Sequence, residues 1–188
     1  MKSLTIYLLA ACLPLGLFAQ HQINGEIVFP SGLPICEVLV ELQDASGQVL
    51  AQDLSEDDGS FQFTDVPTGT NYQLLFTKDG AAIGGVSTFD VVLIARFILG
   101  LDAQPPYYSW IGDLNGSGTV TTLDMVIMRK VILGIDSEFP VPPWAFDEPT
   151  AIVPDNQITL PAVNSDTDVE VIGVKRGDIS GSVQTICN

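Results

Sequence analysis

The chain has 188 residues with 23 acidic and 7 basic side chains, and its formal charge of −16 at pH 7 excludes whole classes of function. Nucleic-acid binding needs clustered Lys and Arg to neutralise phosphates, and Lys2, Lys78, Arg96, Arg129, Lys130, Lys175 and Arg176 are the whole supply, most of them isolated. The single histidine, His21, leaves no material for a Ser-His-Asp triad or a multi-histidine zinc site, so no enzyme is expected, a carboxylate-only mechanism alone staying formally open.

Residues 1–19, MKSLTIYLLAACLPLGLFA, carry one early Lys, a long apolar run and a small residue at Ala19. This is the pattern of a secretory signal peptide, with cleavage expected between Ala19 and Gln20 and a secreted or cell-surface location. A minor alternative takes Leu9-Ala10-Ala11-Cys12 as a lipoprotein box with anchoring at Cys12, but Leu13 to Phe18 stay apolar where such a sequence turns polar. No membrane span is expected, because no later segment approaches the ~18 apolar residues that one needs. Beyond the signal peptide two cysteines remain, Cys36 and Cys187. A disulfide between them and two separate thiols are both compatible with the spacing.

From residue 20 to 78 the pattern is period two, broken by turns at Pro30-Ser-Gly32, Asp44-Ala-Ser-Gly47, Asp57-Asp-Gly59 and Pro67-Thr-Gly69. Ile23, Ile27, Val38, Val40, Leu42, Val49, Phe61, Phe63, Tyr72, Leu74 and Phe76 supply the inward positions of an antiparallel sandwich of about seven short strands. The order of Gly32-Leu-Pro-Ile35, Asp58-Gly-Ser-Phe-Gln-Phe63 and Val66-Pro-Thr-Gly-Thr-Asn-Tyr72 resembles the Cna-B-type, or carboxypeptidase-regulatory-like, prealbumin-like β-sandwich. That resemblance implies a spacer or adhesion module without catalytic residues.

The period then changes. Residues 85–102, GVSTFDVVLIARFILGLD, align with 119–136, TVTTLDMVIMRKVILGID, at an offset of 34, and eight of the eighteen pairs are identical. Each copy has a Ser or Thr beside an Asp, about ten helix-compatible residues, and Gly100 or Gly134 where a helix C-terminus calls for positive φ. A duplicated helix pair is expected rather than a solenoid, since two copies cannot cap one.

The segment 112–124, GDLNGSGTVTTLD, opens the second helix with the spacing of an EF-hand calcium loop: Asp113, Asn115, Ser117, Thr119, Thr121 and Asp124 at positions 1, 3, 5, 7, 9 and 12. Calcium takes six to eight hard oxygens, and alternate residues of such a turn aim theirs inward. Gly118 stands at position 6, where the turn is sharpest. The loop, the helix ending in Leu-Gly and the duplication together resemble a dockerin domain. That resemblance implies a second calcium loop and a cohesin-type protein partner met through positions 10 and 11, here Thr122 and Leu123 with Thr88 and Phe89 in the other copy, often within a polysaccharide-degrading assembly.

The first copy departs from that pattern. Counting back from Asp90 puts Asp79, Ala81, Ile83, Gly84, Gly85 and Ser87 at positions 1, 3, 5, 6, 7 and 9, so two side-chain ligands are missing. The missing front half recurs at 177–182, GDISGS, matching 112–117, GDLNGS. A split calcium site is therefore expected, with Asp178, Ser180 and Ser182 completed by the Gly85 carbonyl, Ser87 and Asp90.

The expected architecture is multidomain. It comprises an N-terminal all-β sandwich over 20–78 and a C-terminal α-helical dockerin-like domain over 79–188, with paired EF-hand-type loops. Within the latter fall repeat one at 79–102, repeat two at 112–136, a small β-rich insertion at 137–176 packing on the helices, and a half-loop at 177–183. Asp147, Glu148, Asp166, Asp168 and Glu170 read as a solvated face, and Tyr107, Tyr108 and Trp110 as cover for the helices rather than a sugar platform. The expected function is a secreted calcium-binding interaction module docking to a cohesin-type partner, with any polysaccharide contact indirect. The alternative is a non-catalytic structural or adhesive surface protein braced by calcium.

Overall fold

The computed structural model describes residues 20–183 and Cys187, so the expected signal peptide and the Cys12 alternative lie outside the described residues. Eight strands and three short helices follow the order β1 (Gln20–Val28), β2 (Leu39–Asp44), β3 (Val49–Leu54), β4 (Ser60–Pro67), β5 (Tyr72–Thr77), α1 (Thr88–Ile98), α2 (Tyr108–Gly112), α3 (Thr122–Ile132), β6 (Trp144–Asp147), β7 (Gln157–Leu160) and β8 (Thr167–Lys175).

The strands form two four-stranded sheets, β4-β1-β8-β6 and β3-β2-β5-β7. The first five strands alternate as their sequences require, and Ile23, Ile27, Val38, Val40, Leu42, Phe61, Phe63, Tyr72, Leu74 and Phe76 are all buried between the sheets. Val49 departs from the expectation: β3 is an edge strand paired only with β2, and Val49 stays 41% exposed.

The expected division into a sandwich followed by a separate α-helical dockerin-like domain is overturned. The molecule is one mainly β body. Residues 20–78 supply only five of the eight strands, and β6, β7 and β8 return after the helices to complete both sheets. Strand β8 lies inside its sheet, parallel to β1 with Ile23 opposite Thr167 and Val28 opposite Ile172, and antiparallel to β6. Strand β7 closes the other sheet against β5. The segment 137–176 is thus no excursion packed on helices. Trp144, Phe146, Ile158, Leu160, Val169 and Val171 share one core with the early strands, and Phe76 lies between Phe61 and Phe146 at centroid distances of 6.0 and 6.1 Å. Each such residue, fully buried, contributes ~1.5–3 kcal/mol, so these strands are as much part of the fold as the first five.

The helices are therefore an insert between β5 and β6. Helices α1 and α3 start and stop where the repeat places them. Ser87 and Thr121 cap their N-termini in matching capping boxes with Asp90 and Asp124. At the other end Gly100 and Gly134, both at φ 68°, reverse the chain. Their amides donate to the Phe97 and Val131 carbonyls, and the Leu101 and Ile135 amides donate to the Arg96 and Lys130 carbonyls, which is the Schellman arrangement. The inner faces meet through Val91, Ile94, Met128 and Val131. The short α2, unforeseen in the sequence, follows Pro105 and Pro106 and buries Trp110 against Ala145, Ile172 and Val174 on the outer side of β6 and β8. Trp110 also donates from Nε1 to the Ile152 carbonyl at 3.2 Å. With Tyr108 and Trp110 buried, the aromatic cluster cements helix to sheet.

Candidate metal centre: two matched oxygen-rich loops

In the continuous loop the expected ligands converge. The Asp113 carboxylate accepts from the Ser117 amide at 3.0 Å and the Gly118 amide at 2.6 Å, while Asn115 Oδ1 accepts from the Ser117 amide at 2.9 Å. Ser117 Oγ donates to the Thr119 carbonyl at 3.0 Å. Asp124 closes the turn: its Oδ1 accepts from the Leu114 amide at 2.9 Å and its Oδ2 from the Thr121 amide at 2.8 Å and the Thr121 hydroxyl at 3.1 Å. Gly118 adopts φ 83°, a conformation closed to most side chains, which is why that position carries no Cβ.

The second set, drawn from two distant stretches, repeats these contacts almost bond for bond. The Asp178 carboxylate accepts from the Ser182 amide at 2.9 Å and the Val183 amide at 2.6 Å. Ser182 Oγ donates to the Gly85 carbonyl at 3.0 Å, as Ser117 does to Thr119. Asp90 Oδ2 accepts from the Ser87 amide and hydroxyl, both at 2.8 Å, and its Oδ1 accepts from the Ser180 amide at 2.8 Å across 90 residues of sequence. Ser180 Oγ donates to Asp178 at 3.0 Å. All six residues named for the split site, Gly85, Ser87, Asp90, Asp178, Ser180 and Ser182, thus lie together. One difference is that Asp90 receives the amide of position 3, where Asp124 receives that of position 2. Asp79, counted as position 1 of a continuous first loop, is exposed instead, and Lys78 beside it turns to the Cys36 carbonyl at 2.6 Å.

Strand β8 positions both loops, which the sequence reading missed. It runs directly into Asp178, and its last residue and the next reach the segments that precede α1 and α3. Lys175 Nζ donates to the Ala82 carbonyl at 3.1 Å, and Arg176 Nη1 donates to the Trp110 and Asp113 carbonyls at 3.2 and 3.1 Å. Both cations are buried. Burial pushes the Lys175 ammonium down to about 8, opposed by the Asp178 charge, and pushes the Arg176 guanidinium down, opposed by Asp113. The next residues in each loop, Leu114 and Ile179, plug into the helix core from equivalent places. A Lys-Arg pair ending a strand that leads into a half-loop was the available signal.

Asp90, Asp113, Asp124 and Asp178 are 0 to 5% exposed and none forms an ion pair among the described residues, although the buried Arg176 and Lys175 charges act on Asp113 and Asp178. Burying a carboxylate is costly unless a counter-charge or metal meets it. Among the described residues no three His, Cys, Asp or Glu side chains gather as a metal cluster, and each loop brings two carboxylates. The remaining donors are hydroxyl, amide and carbonyl oxygens, a set that suits a hard cation such as calcium and would not suit zinc.

Cys187 is covalently fixed to the first half of the sandwich. Cys36 and Cys187 form a disulfide with a Cα–Cα distance of 5.7 Å, which decides the alternative the spacing left open. Among the acids expected to be solvated, Asp147 is instead buried, accepting from the Glu148 and Asp155 amides, and burial pushes its carboxyl up.

No protein-family model and no curated protein matches the sequence. Solved structures with a similar region include BcpA, the major pilin subunit of Bacillus cereus, at 17% identity, TM-score 0.30, covering 33% of this chain and 19% of that one. Another is the pilus-presented adhesin Spy0125 (Cpa), at 8% identity, TM-score 0.31, covering 86% of this chain and 28% of that one. A third is 3-chlorocatechol 1,2-dioxygenase from Rhodococcus opacus 1CP, at 15% identity, TM-score 0.27, covering 33% of this chain and 40% of that one. The matched part is less than half of each of these proteins. The β-sandwich itself rests on the strand pairing of this chain. No helix among the described residues is long and apolar enough to cross a membrane.

Proposed function

We propose that the protein is a non-catalytic structural or adhesive module of the cell surface or extracellular space, braced by calcium at the two helix starts. The observation that carries this reading is the set of four buried carboxylates without ion-pair partners, arranged two by two among convergent neutral oxygens. Calcium at Asp113, Asn115, Ser117, Thr119, Thr121 and Asp124 would neutralise one pair, and at Asp178, Ser180, Ser182, Gly85, Ser87 and Asp90 the other. Binding to folded loops alone turns metal affinity into stability. Loops with two carboxylates belong near the weak, ~10⁻⁴ to 10⁻³ M end of calcium affinity, which suits a site filled outside the cell.

Calorimetric titration with calcium tests this. The intact protein should bind two equivalents, and Asp113→Ala and Asp178→Ala should each bind one. No heat at millimolar calcium would remove the calcium reading, and an unchanged stoichiometry in Asp178→Ala would remove the split site.

A second reading has its own observation. Phe89, Val92, Leu99 and Leu101 are 52 to 71% exposed, and their repeat partners Leu123, Val126, Leu133 and Ile135 are 51 to 72% exposed. The ion pairs Arg96–Asp102 and Lys130–Asp136 recur at the same offset. An exposed apolar face duplicated in this way supports docking of a protein partner of cohesin type on the helix pair, as the dockerin resemblance implies. Immobilised cohesin-type modules would then retain the protein in calcium and release it in chelator. Equal passage under both conditions removes this reading.

A further inference from the structure

We propose that the Cys36–Cys187 disulfide sets the calcium affinity of the split loop, so that this loop responds to thiol reductants while the continuous loop does not. The inference rests on the calcium reading above and adds the regulation of one of its two sites.

The two loops present similar oxygens but differ in what holds those oxygens together. In the continuous loop every donor from Asp113 to Asp124 lies on one uninterrupted turn, so chain connectivity keeps the front and back halves in register. In the split loop Ser180 and Asp90 meet across 90 residues. Strand β8 fixes the start of the front half at Asp178, three residues beyond Lys175. Its far end is held by hydrogen bonds and packing rather than by a strand: the Ser182 and Val183 amides donate to Asp178. Ser182 Oγ reaches the Gly85 carbonyl at 3.0 Å, and the Val183 side chain covers Gly85 so closely that a Cβ there would collide with Val183 Cγ2. The next described anchor is Cys187, bonded to Cys36.

That bond places Cys187 at the corner from which the back half issues. Cys36 donates its amide to Cys187 Sγ at 3.1 Å, and its carbonyl accepts from Lys78 Nζ at 2.6 Å. Lys78 directly follows β5, the strand leading to Gly85 and Asp90. The disulfide therefore holds the far end of the front half over the back half. Such a tether raises the effective concentration of one half at the other and removes conformations that separate them.

In the redox step a dithiol reductant supplies two electrons and two protons. The S–S bond breaks, Cys36 and Cys187 become thiols, and the two thiols of the reductant become its disulfide. Cys36 is buried, whereas Cys187 is partly exposed and is the sulfur from which attack on the bond can proceed.

The test uses full-length protein with Asp113→Asn, which silences the continuous loop, and Asp178→Asn, which silences the split one, each titrated with calcium before and after treatment with dithiothreitol. We expect reduction to weaken binding in Asp113→Asn about tenfold and to leave Asp178→Asn unchanged. Cys187→Ser in the Asp113→Asn background should show the weakened affinity without reductant, whether or not the bond is accessible. Affinity in Asp113→Asn that is the same in both redox states, or equal weakening of both loops, would overturn the proposal. Absence of binding in oxidised Asp113→Asn would instead overturn the split calcium site itself, while Asp178→Asn reports separately on calcium at the continuous loop.

Discussion

Lys175 and Arg176 show how two adjacent side chains join the sheets to the helices. Lys175, the last residue of β8, reaches the Ala82 carbonyl ahead of α1, and Arg176, the next residue, reaches the carbonyls of Trp110 in α2 and Asp113 ahead of α3. Burial holds the folded Lys175 ammonium at about 8, below its ordinary 10.5. Between these values the unfolded chain binds more protons than the folded one, so stability rises with pH through that window. Denaturant unfolding without calcium at pH 8 and pH 10 should show a gain of about 1–2 kcal/mol after allowance for solvent screening, and Lys175→Met should flatten it. A slope as steep in the variant would assign the effect to other groups. The residues that meet in the continuous loop were legible one by one, because a tight turn of alternating oxygen donors imposes a fixed spacing that survives in the string Asp113 to Asp124. The split half was legible only because GDISGS repeats GDLNGS. Lys175 and Arg176 were marked only by their place at the end of a strand that leads into the half-loop, since nothing in the pair itself tells a cation that will be buried against carbonyls from one that stays in water.

At the level of elements, the two long helices and the first five strands could be read from period and punctuation. The capping boxes at Ser87 and Thr121 and the glycines at 100 and 134 are local signals with local causes. The late strands could be recognised as β-structure but not placed. Strand β8 pairs with β1 from the opposite end of the chain, and such a parallel contact leaves no mark in the sequence near either strand. The boundary at residue 78, set by the change of period, marks where the sandwich is interrupted and not where it ends. A fragment of residues 20–78 would lack the strands inside and beside β1 and β5, and would expose Ile23, Ile27, Phe61 and Phe76. It should give poorly dispersed amide resonances and no cooperative unfolding, whereas residues 20–188 should unfold in one transition. Cooperative folding of the fragment would contradict the interleaved sandwich.

At the scale of the whole molecule, the formal charge of −16 has a structured part. Asp90, Asp113, Asp124 and Asp178 are buried in two oxygen-lined turns, one at the start of each long helix. The turn at α1 is shared between the exits of the two sheets, since its back half follows β5 and its front half follows β8. A cation there would cross-link both sheets to the inserted helix, next to the Cys36–Cys187 disulfide. The proposal of calcium in these turns is open to direct observation. Anomalous diffraction from crystals grown with calcium would locate the ions. Two ions are expected, one between Asp113 and Asp124 with Asn115, Ser117 and the Thr119 carbonyl around it, and one between Asp178 and Asp90 with the Gly85 carbonyl. Density at neither position in saturating calcium, with ions bound elsewhere or not at all, would contradict it.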